Sequence, residues 1–298
     1  MPTLYLINNK ESEPAFPDGF IRAAKKNNYI FTQIEARDLS YYVQKDSDKI
    51  AIFHKDIELA VTSDDLFYIR ARKPHASTTA LLCFVLDACE YTFNERRDSL
   101  EHNIRGSKMA QGFLCKPHSI NFPNSLAANL ENRTSIYTLL DQHFSYPLVA
   151  KQSGSKGEKV WKCDTQEELH NLITILDEGT NKLVLFQEYI ENTFDIRSIV
   201  HHGEIIASIA RSSNDGFYNN VSQGGSAEAI ELTEEEQRIS LKAAELTKLD
   251  LAGIDIVRSD HGPLLFEINK APDISCFSEA AGYDLSEAIA EKFITEHK

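Results

Sequence analysis

Cysteine is scarce in this sequence and never arranged for chelation. Its five thiols, Cys83, Cys89, Cys115, Cys163 and Cys276, are scattered and odd in number, with no CxxC pair. That argues against a disulfide framework and a zinc ribbon and favours reduced thiols in a cytoplasmic protein. No basic stretch followed by a long apolar one opens the chain, so no secretory leader is expected. The longest apolar run, residues 80–89, is too short to span a bilayer, which leaves no expected membrane partner. Positive charge is also in short supply. Residues 1–150 carry 17 Lys and Arg against 18 Asp and Glu, but residues 151–298 carry 14 against 27. So acidic a half excludes an extended nucleic-acid interface and fits either a metal-using site or a well-solvated surface.

What is present describes a soluble globular protein: 298 residues, 42% hydrophobic and 26% charged, long enough for two or three domains. No internal repeat or low-complexity tract interrupts it. The first 93 residues alternate strand-like and helix-like segments: TLYLIN, GFIRAAKKN, YIFTQIEA, IAIFHKDIELA, DLFYIRA and TTALLCFVLDACE. That rhythm predicts a small α/β domain with a mostly parallel sheet. Residues 94–186 read as a basic helical connector (94–118) followed by a second unit. This unit holds a strand at YPLVAK, a glycine-containing loop at QSGSKGEK, a strand at KVWKC, the helix TQEELHNLITILDE and a strand at KLVLFQEYI. Thr165 and Glu168 have capping-box spacing for that helix. Residues 187–298 form a third unit. It opens with the hairpin DIRSIVHHG–EIIASIARS, continues through a helix capped by Thr233, and has two further strands around SDHG. The helix DLSEAIAEKFITEH closes it.

The last two strands, LAGIDIV and LLFEIN, carry the strongest chemical signal. A three-residue loop, Asp260-His261-Gly262, would pair Ile256 with Phe266, Asp255 with Glu267 and Ile254 with Ile268. Asp255 and Glu267 then lie opposite one another, with Asn269 on the same face. Adjacent carboxylates repel unless a proton or cation separates them. Two carboxylates and an amide suit Mg²⁺ or Mn²⁺; a merely solvated face is the alternative. Lys151-Gln-Ser-Gly-Ser-Lys-Gly157 could cradle phosphate through its small residues and two lysines, or be a plain hairpin loop.

The order of these features resembles the ATP-grasp superfamily, and most closely its RimK-like glutamate-ligase branch. The segments that carry the resemblance run almost the whole chain. They include RAR, the asparagine of TFNE, IRGSKMAQGFL, PLVAK, SGSKG, FQEYI, DIRSIV, IASIARS, FYNNVSQGGSA, LAGIDIV and GPLLFEIN. The resemblance implies an ATP-grasp fold: an N-terminal parallel-sheet pre-ATP-grasp domain and two α+β subdomains clasping ATP. It implies Lys108 and Lys151 as the lysines that reach the nucleotide phosphates. Gln187, Glu188 and Ile190 would edge the adenine, Glu191 the ribose, and Gly154, Ser155 and Gly157 would form the loop over the triphosphate. Asp255, Glu267 and Asn269 match the metal ligands, for two Mg²⁺ or Mn²⁺ ions. Arg197, Arg211 and Asn220 match the polar groups around the reacting phosphoryl and acyl groups.

The implied reaction is ATP-dependent ligation of a carboxylate and an amine through an acyl phosphate. It would join an amino acid to an amino acid, peptide or protein terminus. A phosphotransferase and a non-catalytic nucleotide-binding scaffold are the alternatives, and a homo-oligomer stays open. The reaction needs no side-chain nucleophile, in keeping with the lack of a Ser-His-Asp or Cys-His arrangement. Departures from the family pattern are Ser107, Lys159, Tyr218 and the run Lys270-Ala-Pro-Asp273, the last two beside the expected acceptor site. Elsewhere, His201 and His202 are expected as an exposed pair on opposite faces, Cys83 and Cys89 as core, and Trp161 as packing. Arg70 and Arg72 could line the substrate site or be surface charge.

Overall fold

A computed structural model describes residues 1–8, 15–43, 50–70, 76–94, 108–152, 159–178, 183–212, 226–270, 272–274, 277–278 and 281–297. The N-terminal unit contains strands β1 (Thr3–Asn8) and β2 (Ile30–Glu35) around helix α1 (Phe16–Lys26). A small antiparallel sheet follows, made of β3 (Leu39–Val43), β4 (Ile50–His54) and β5 (Ile57–Glu58). Then come β6 (Leu66–Ile69), helix α2 (Ala76–Ala88) and β7 (Thr92–Phe93). The sheet β2-β1-β6-β7 is parallel throughout, as the alternation of strands and helices requires. IAIFHKDIELA is not part of it. It folds back on itself at Lys55, which has φ 59, and so makes the separate hairpin β4–β5.

Helix α3 (Lys108–Cys115) leads to the central unit. Here β8 (Ser125–Asn129), helix α4 (Arg133–His143), β9 (Leu148–Lys151), β10 (Val160–Cys163), helix α5 (Gln166–Asp177) and β11 (Leu183–Glu188) build an antiparallel sheet. Its order is β10-β9-β11-β8, and its helices bury Leu140 and Ile173 in one core with Phe186 of β11. Thr165 caps α5 by accepting from the Glu168 amide at 3.2 Å. The Glu168 carboxylate accepts from the amide of Asp164, one residue before the cap. Trp161 packs at the edge of this core.

The C-terminal unit is a five-stranded antiparallel sheet, β14-β13-β12-β15-β16. Its strands are β12 (Asp195–His201), β13 (Glu204–Ser212), β14 (Ser226–Ala229), β15 (Leu251–Ser259) and β16 (Gly262–Asn269). Helix α6 (Glu234–Thr247), started by a Thr233–Glu236 capping box, covers one face through Ile239, Ala243 and the inward residues Ile196, Ile254 and Ile268. The other face is divided. At one end Ile199, Ile209 and Leu251 join the N-terminal core of Phe20 and Tyr68 beneath the closing helix α7 (Leu285–Glu296). At the other end the same face carries Asp195, Arg197, Arg211, Asp255 and Glu267. One sheet thus ties the N-terminal unit down with half a face and frees the rest for chemistry.

Two expectations change. Ser259 pairs with Gly262, so the β15–β16 turn is Asp260-His261, and Ile256 pairs with Leu265 rather than Phe266. A bulge at Phe266 takes up the extra residue, which restores Asp255 opposite Glu267 and Ile254 opposite Ile268. His201 is 1% exposed, not a surface residue, because α7 covers the β12–β13 end. His202 and Gly203, at φ 46 and 77, form the two-residue turn, so strand alternation stops there and the histidine rings stand 4.5 Å apart, edge on. His202 reaches Glu296 on α7 at 2.9 Å. Cys83, Cys89, Cys115 and Cys163 are free; Cys83 is buried and Cys89 partly so. No helix among the described residues is long and apolar enough to cross a membrane.

Candidate active site

The polar end of the C-terminal sheet is set by register. β12 places Asp195 and Arg197 two residues apart, hence on one face; β13 sets Arg211 opposite Asp195, and β15 sets Asp255 opposite Arg197. The four side chains close into an alternating cluster. Arg197 donates through Nε and Nη2 to the two Asp255 oxygens at 2.5 and 2.6 Å. Arg211 donates through the same two atoms to Asp195 at 2.7 and 2.6 Å, with Nη2 also 3.3 Å from Asp255. Such two-point pairs fix a guanidinium in orientation as well as position.

Burial makes these charges interdependent. Asp255 is 5% exposed and Arg211 3%. Burial alone would raise the Asp255 pKa, but Arg197 and Arg211 hold the carboxyl below its usual range. Burial likewise works against the Arg211 charge, and Asp255 and Asp195 overcome it and raise its pKa. Asp195 is pushed up to about 6, first by burial and then by nearby Asp255, against the pull of Arg211.

The candidate metal ligands adjoin this cluster. Asn269 donates from Nδ2 to Asp255 at 3.2 Å, and Glu267 is the cross-strand neighbour of Asp255. Glu267 also accepts from Lys108 Nζ at 3.0 Å, across 159 residues of sequence. Lys151, at the end of β9, brings its ammonium over the Phe266 ring at 5.4 Å. Burial pushes the Lys151 pKa down to about 8; Glu267 and Asp255 oppose the shift and Lys108 adds to it. The described site therefore gathers Lys108, Lys151, Arg197 and Arg211 around Asp195, Asp255 and Glu267. Four cationic side chains against three carboxylates, with Lys108 brought in from the N-terminal half, suit a polyanionic ligand.

The donor chemistry fits a hard divalent cation. Glu267 keeps 27% of its side chain exposed, and Asn269 and Asp255 supply further oxygens on the same face. Asp255 would share its oxygens with Arg197, while the Lys108 ammonium already shows a cation held by Glu267.

The remaining expected residues divide. Gln187, 2% exposed, donates to Ser125 Oγ at 2.9 Å. Glu188 takes both the backbone and side-chain N–H groups of Asn124 at 2.9 Å, tying β11 to the lead-in of β8. Ile190 is half-buried and Glu191 exposed just beyond β11. These four sit at the opposite end of the strand pair from Lys151, since Glu188 faces Leu148 and Leu185 faces Lys151. Three residues of strand separate the ends by about 10 Å. Gly154, Ser155, Gly157 and Asn220 lie outside the described residues, as do Ser107, Tyr218 and Arg72. Arg70 is 6% exposed, donates to the Pro272 carbonyl at 2.6 Å and stacks on Phe16 at 4.1 Å, so it is no surface charge.

Sequence reasoning missed two residues. Asp195 carried a signal, being two strand positions before Arg197. Gln111 carried none, because its partner is the backbone of Ile268, 157 residues away.

Residues 107–293 match the RimK-like ATP-grasp domain. A probable alpha-L-glutamate ligase of Aeromonas salmonicida is 38% identical over 149 residues, 49% of this chain and 50% of the relative. The ribosomal protein bS6–L-glutamate ligase of Escherichia coli is 34% identical over 177 residues, 58% of each chain. The chain thus spans about half to three-fifths of the length of the curated relatives it matches. Among solved structures, the ATP-grasp ligase PsnB complexed with a minimal precursor aligns with a TM-score of 0.73 at 15% identity over 99% of both chains. The VanG D-Ala:D-Ser ligase of Enterococcus faecalis aligns with a TM-score of 0.71 at 15% identity over all of both chains. These alignments give the chain an ATP-grasp fold, and the match over residues 107–293 makes it a member of the RimK-like ATP-grasp domain family.

Proposed function

We propose that the chain is an ATP-dependent carboxylate–amine ligase. The observation that carries this reading is the closed Asp195–Arg211–Asp255–Arg197 cluster beside Glu267, Asn269 and two lysines that arrive from separate elements. In the proposed reaction a substrate carboxylate oxygen attacks the γ-phosphorus of ATP, ADP leaves, and an acyl phosphate forms. An amine then attacks the acyl carbon, phosphate leaves, and the amine gives up a proton as the amide forms. ATP, carboxylate and amine thus become ADP, phosphate and amide.

Lys108 and Lys151 offset the repulsion between anionic carboxylate and anionic triphosphate. Arg197 and Arg211, locked through Nε and Nη2, hold their remaining Nη1 corners in fixed directions for the acyl and phosphoryl oxygens. Asp255, Glu267 and Asn269 would hold two Mg²⁺ or Mn²⁺ ions, which neutralise phosphate charge and align the transfer. Gln187, Glu188, Ile190 and Glu191 would border the nucleoside, Gly154, Ser155 and Gly157 the triphosphate, and Asn220 the reacting acyl group. The relatives named as glutamate ligases point to glutamate as one substrate and a peptide or protein as the other. Free thiols at the described cysteines support a cytoplasmic setting.

The test measures ADP release against paired amino acids and peptides, with mass spectrometry of the products. An amide product that needs ATP, a divalent ion and both partners is expected. A stable phosphorylated product without an amide would replace the ligase reading with a phosphotransferase. Glu267→Ala should abolish metal-dependent turnover while leaving the circular dichroism spectrum unchanged; normal turnover would remove Glu267 from the metal site.

A further inference from the structure

We infer that Gln111 is a positioning residue that sets Lys108 against the strand of the metal ligands. Among the described residues β16 is the edge strand of its sheet, so the outward backbone groups of Ile268 have no neighbouring strand there. The Gln111 side chain supplies one. Its Nε2 donates to the Ile268 carbonyl at 2.7 Å, and its Oε1 accepts from the Ile268 amide at 2.9 Å. The amide is 1% exposed, so both bonds form away from water.

The placement gives this clamp its meaning. Ile268 lies between Glu267 and Asn269 and turns its own side chain into the core, so fixing its backbone fixes the base of both ligand side chains. Gln111 is three residues beyond Lys108 on α3, which puts the two on one helix face. The clamp therefore sets the depth and rotation of α3 at the point from which Lys108 reaches Glu267 at 3.0 Å. Farther out, the Leu265 amide donates to the Asn121 carbonyl at 2.9 Å, and Gly112 lets α3 lie close to Phe122, where a Cβ would come within 2.6 Å of the ring. Those contacts hold the connector near β16; only Gln111 among them binds the backbone between the ligands.

This inference rests on the phosphate role proposed for Lys108. The test is a double-mutant cycle between Gln111→Leu and Lys108→Ala, read as the dissociation constant of ADP with Mg²⁺ by titration calorimetry. Gln111→Leu should weaken ADP by about tenfold when Lys108 is present, the loss expected for two misplaced buried contacts. In the Lys108→Ala background it should change affinity by less than about twofold. Equal weakening in both backgrounds would show a purely structural role and overturn the inference, leaving the ligase reading intact. If Lys108→Ala alone leaves ADP binding unchanged, the inference and the phosphate role of Lys108 fall together. Should Gln111→Leu fail to fold, Gln111→Glu carries the same cycle: it keeps the acceptor for the Ile268 amide and loses the donor to the carbonyl. The same coupling to Lys108 is expected, and its absence overturns the inference.

Discussion

Replacing Asp255 with alanine strikes the point at which the site's charges meet. Asp255 takes two short bonds from Arg197 and one from Asn269, and lies 3.3 Å from Arg211, at 5% exposure. Removing one member of a buried ion pair costs about 3–5 kcal/mol, mostly because the partner keeps its charge without compensation. Arg211 retains both bonds to Asp195, so the loss falls on Arg197, whose side chain is 15% exposed and partly rehydrates. The lower end, about 3 kcal/mol, is therefore expected. At roughly 2–4 °C per kcal/mol, the melting transition of the C-terminal sheet should fall by about 6–12 °C in scanning calorimetry.

The loss also has a pH signature. The folded Asp255 pKa is depressed, so its stabilising contribution is present above the unfolded value and disappears as pH falls through the folded one. The gap between wild type and Asp255→Ala should narrow in acid. Replacing the pair by Arg197→Met with Asp255→Leu should recover much of the loss, since apolar groups leave no charge uncompensated. A single variant that melts within about 2 °C of wild type would refute the pairing. So would a double variant as unstable as the sum of the singles.

Other expectations concern the neighbouring groups. Lys151 titrates near 8, so Mg-ADP affinity should fall between pH 7 and 9 as its charge is lost; Lys151→Ala should bind more weakly and lose that slope. Because the folded lysine pKa is depressed, its effect on stability has the opposite direction: stability should rise as pH increases from about 8 towards the unfolded lysine value. A pH-independent ADP affinity in the wild type would remove Lys151 from the phosphate site. Gly253→Ala would place a Cβ 2.6 Å from the rigid Pro272 ring, next to the cross-strand partner Asn269. A destabilisation of about 1–3 kcal/mol in thermal unfolding is expected, and unchanged stability would mean that the segment at Pro272 does not close over β15.

Local signals in the chain were strong where a rule needs only neighbours. The Thr233 N-cap and the parallel N-terminal strands follow from residues close in sequence, whereas strict alternation from the Asp260-His261 turn would set Asp255 opposite Phe266, and only the bulge there restores its pairing with Glu267. Signals weakened where apolar content thinned. Helix α4 buries only Ile136 and Leu140, and β8 has no buried side chain, so neither stood out from the chain around it. Long-range coverage was invisible as well: His201 reads as part of an exposed turn until α7, some 90 residues later, folds over it.

By itself, then, the sequence determined the acid pair on one sheet face and the lysines that precede it. It also determined the order of elements that makes the chain resemble its family. Tertiary structure alone decided who neutralises whom. Arg197 faces Asp255, Arg211 takes Asp195, Lys108 reaches Glu267, and Gln111 binds the backbone between Glu267 and Asn269. Pattern rules fix which face a side chain occupies. Charge compensation in a buried site depends on ångström-scale distances between segments far apart in the chain, and only packing sets those.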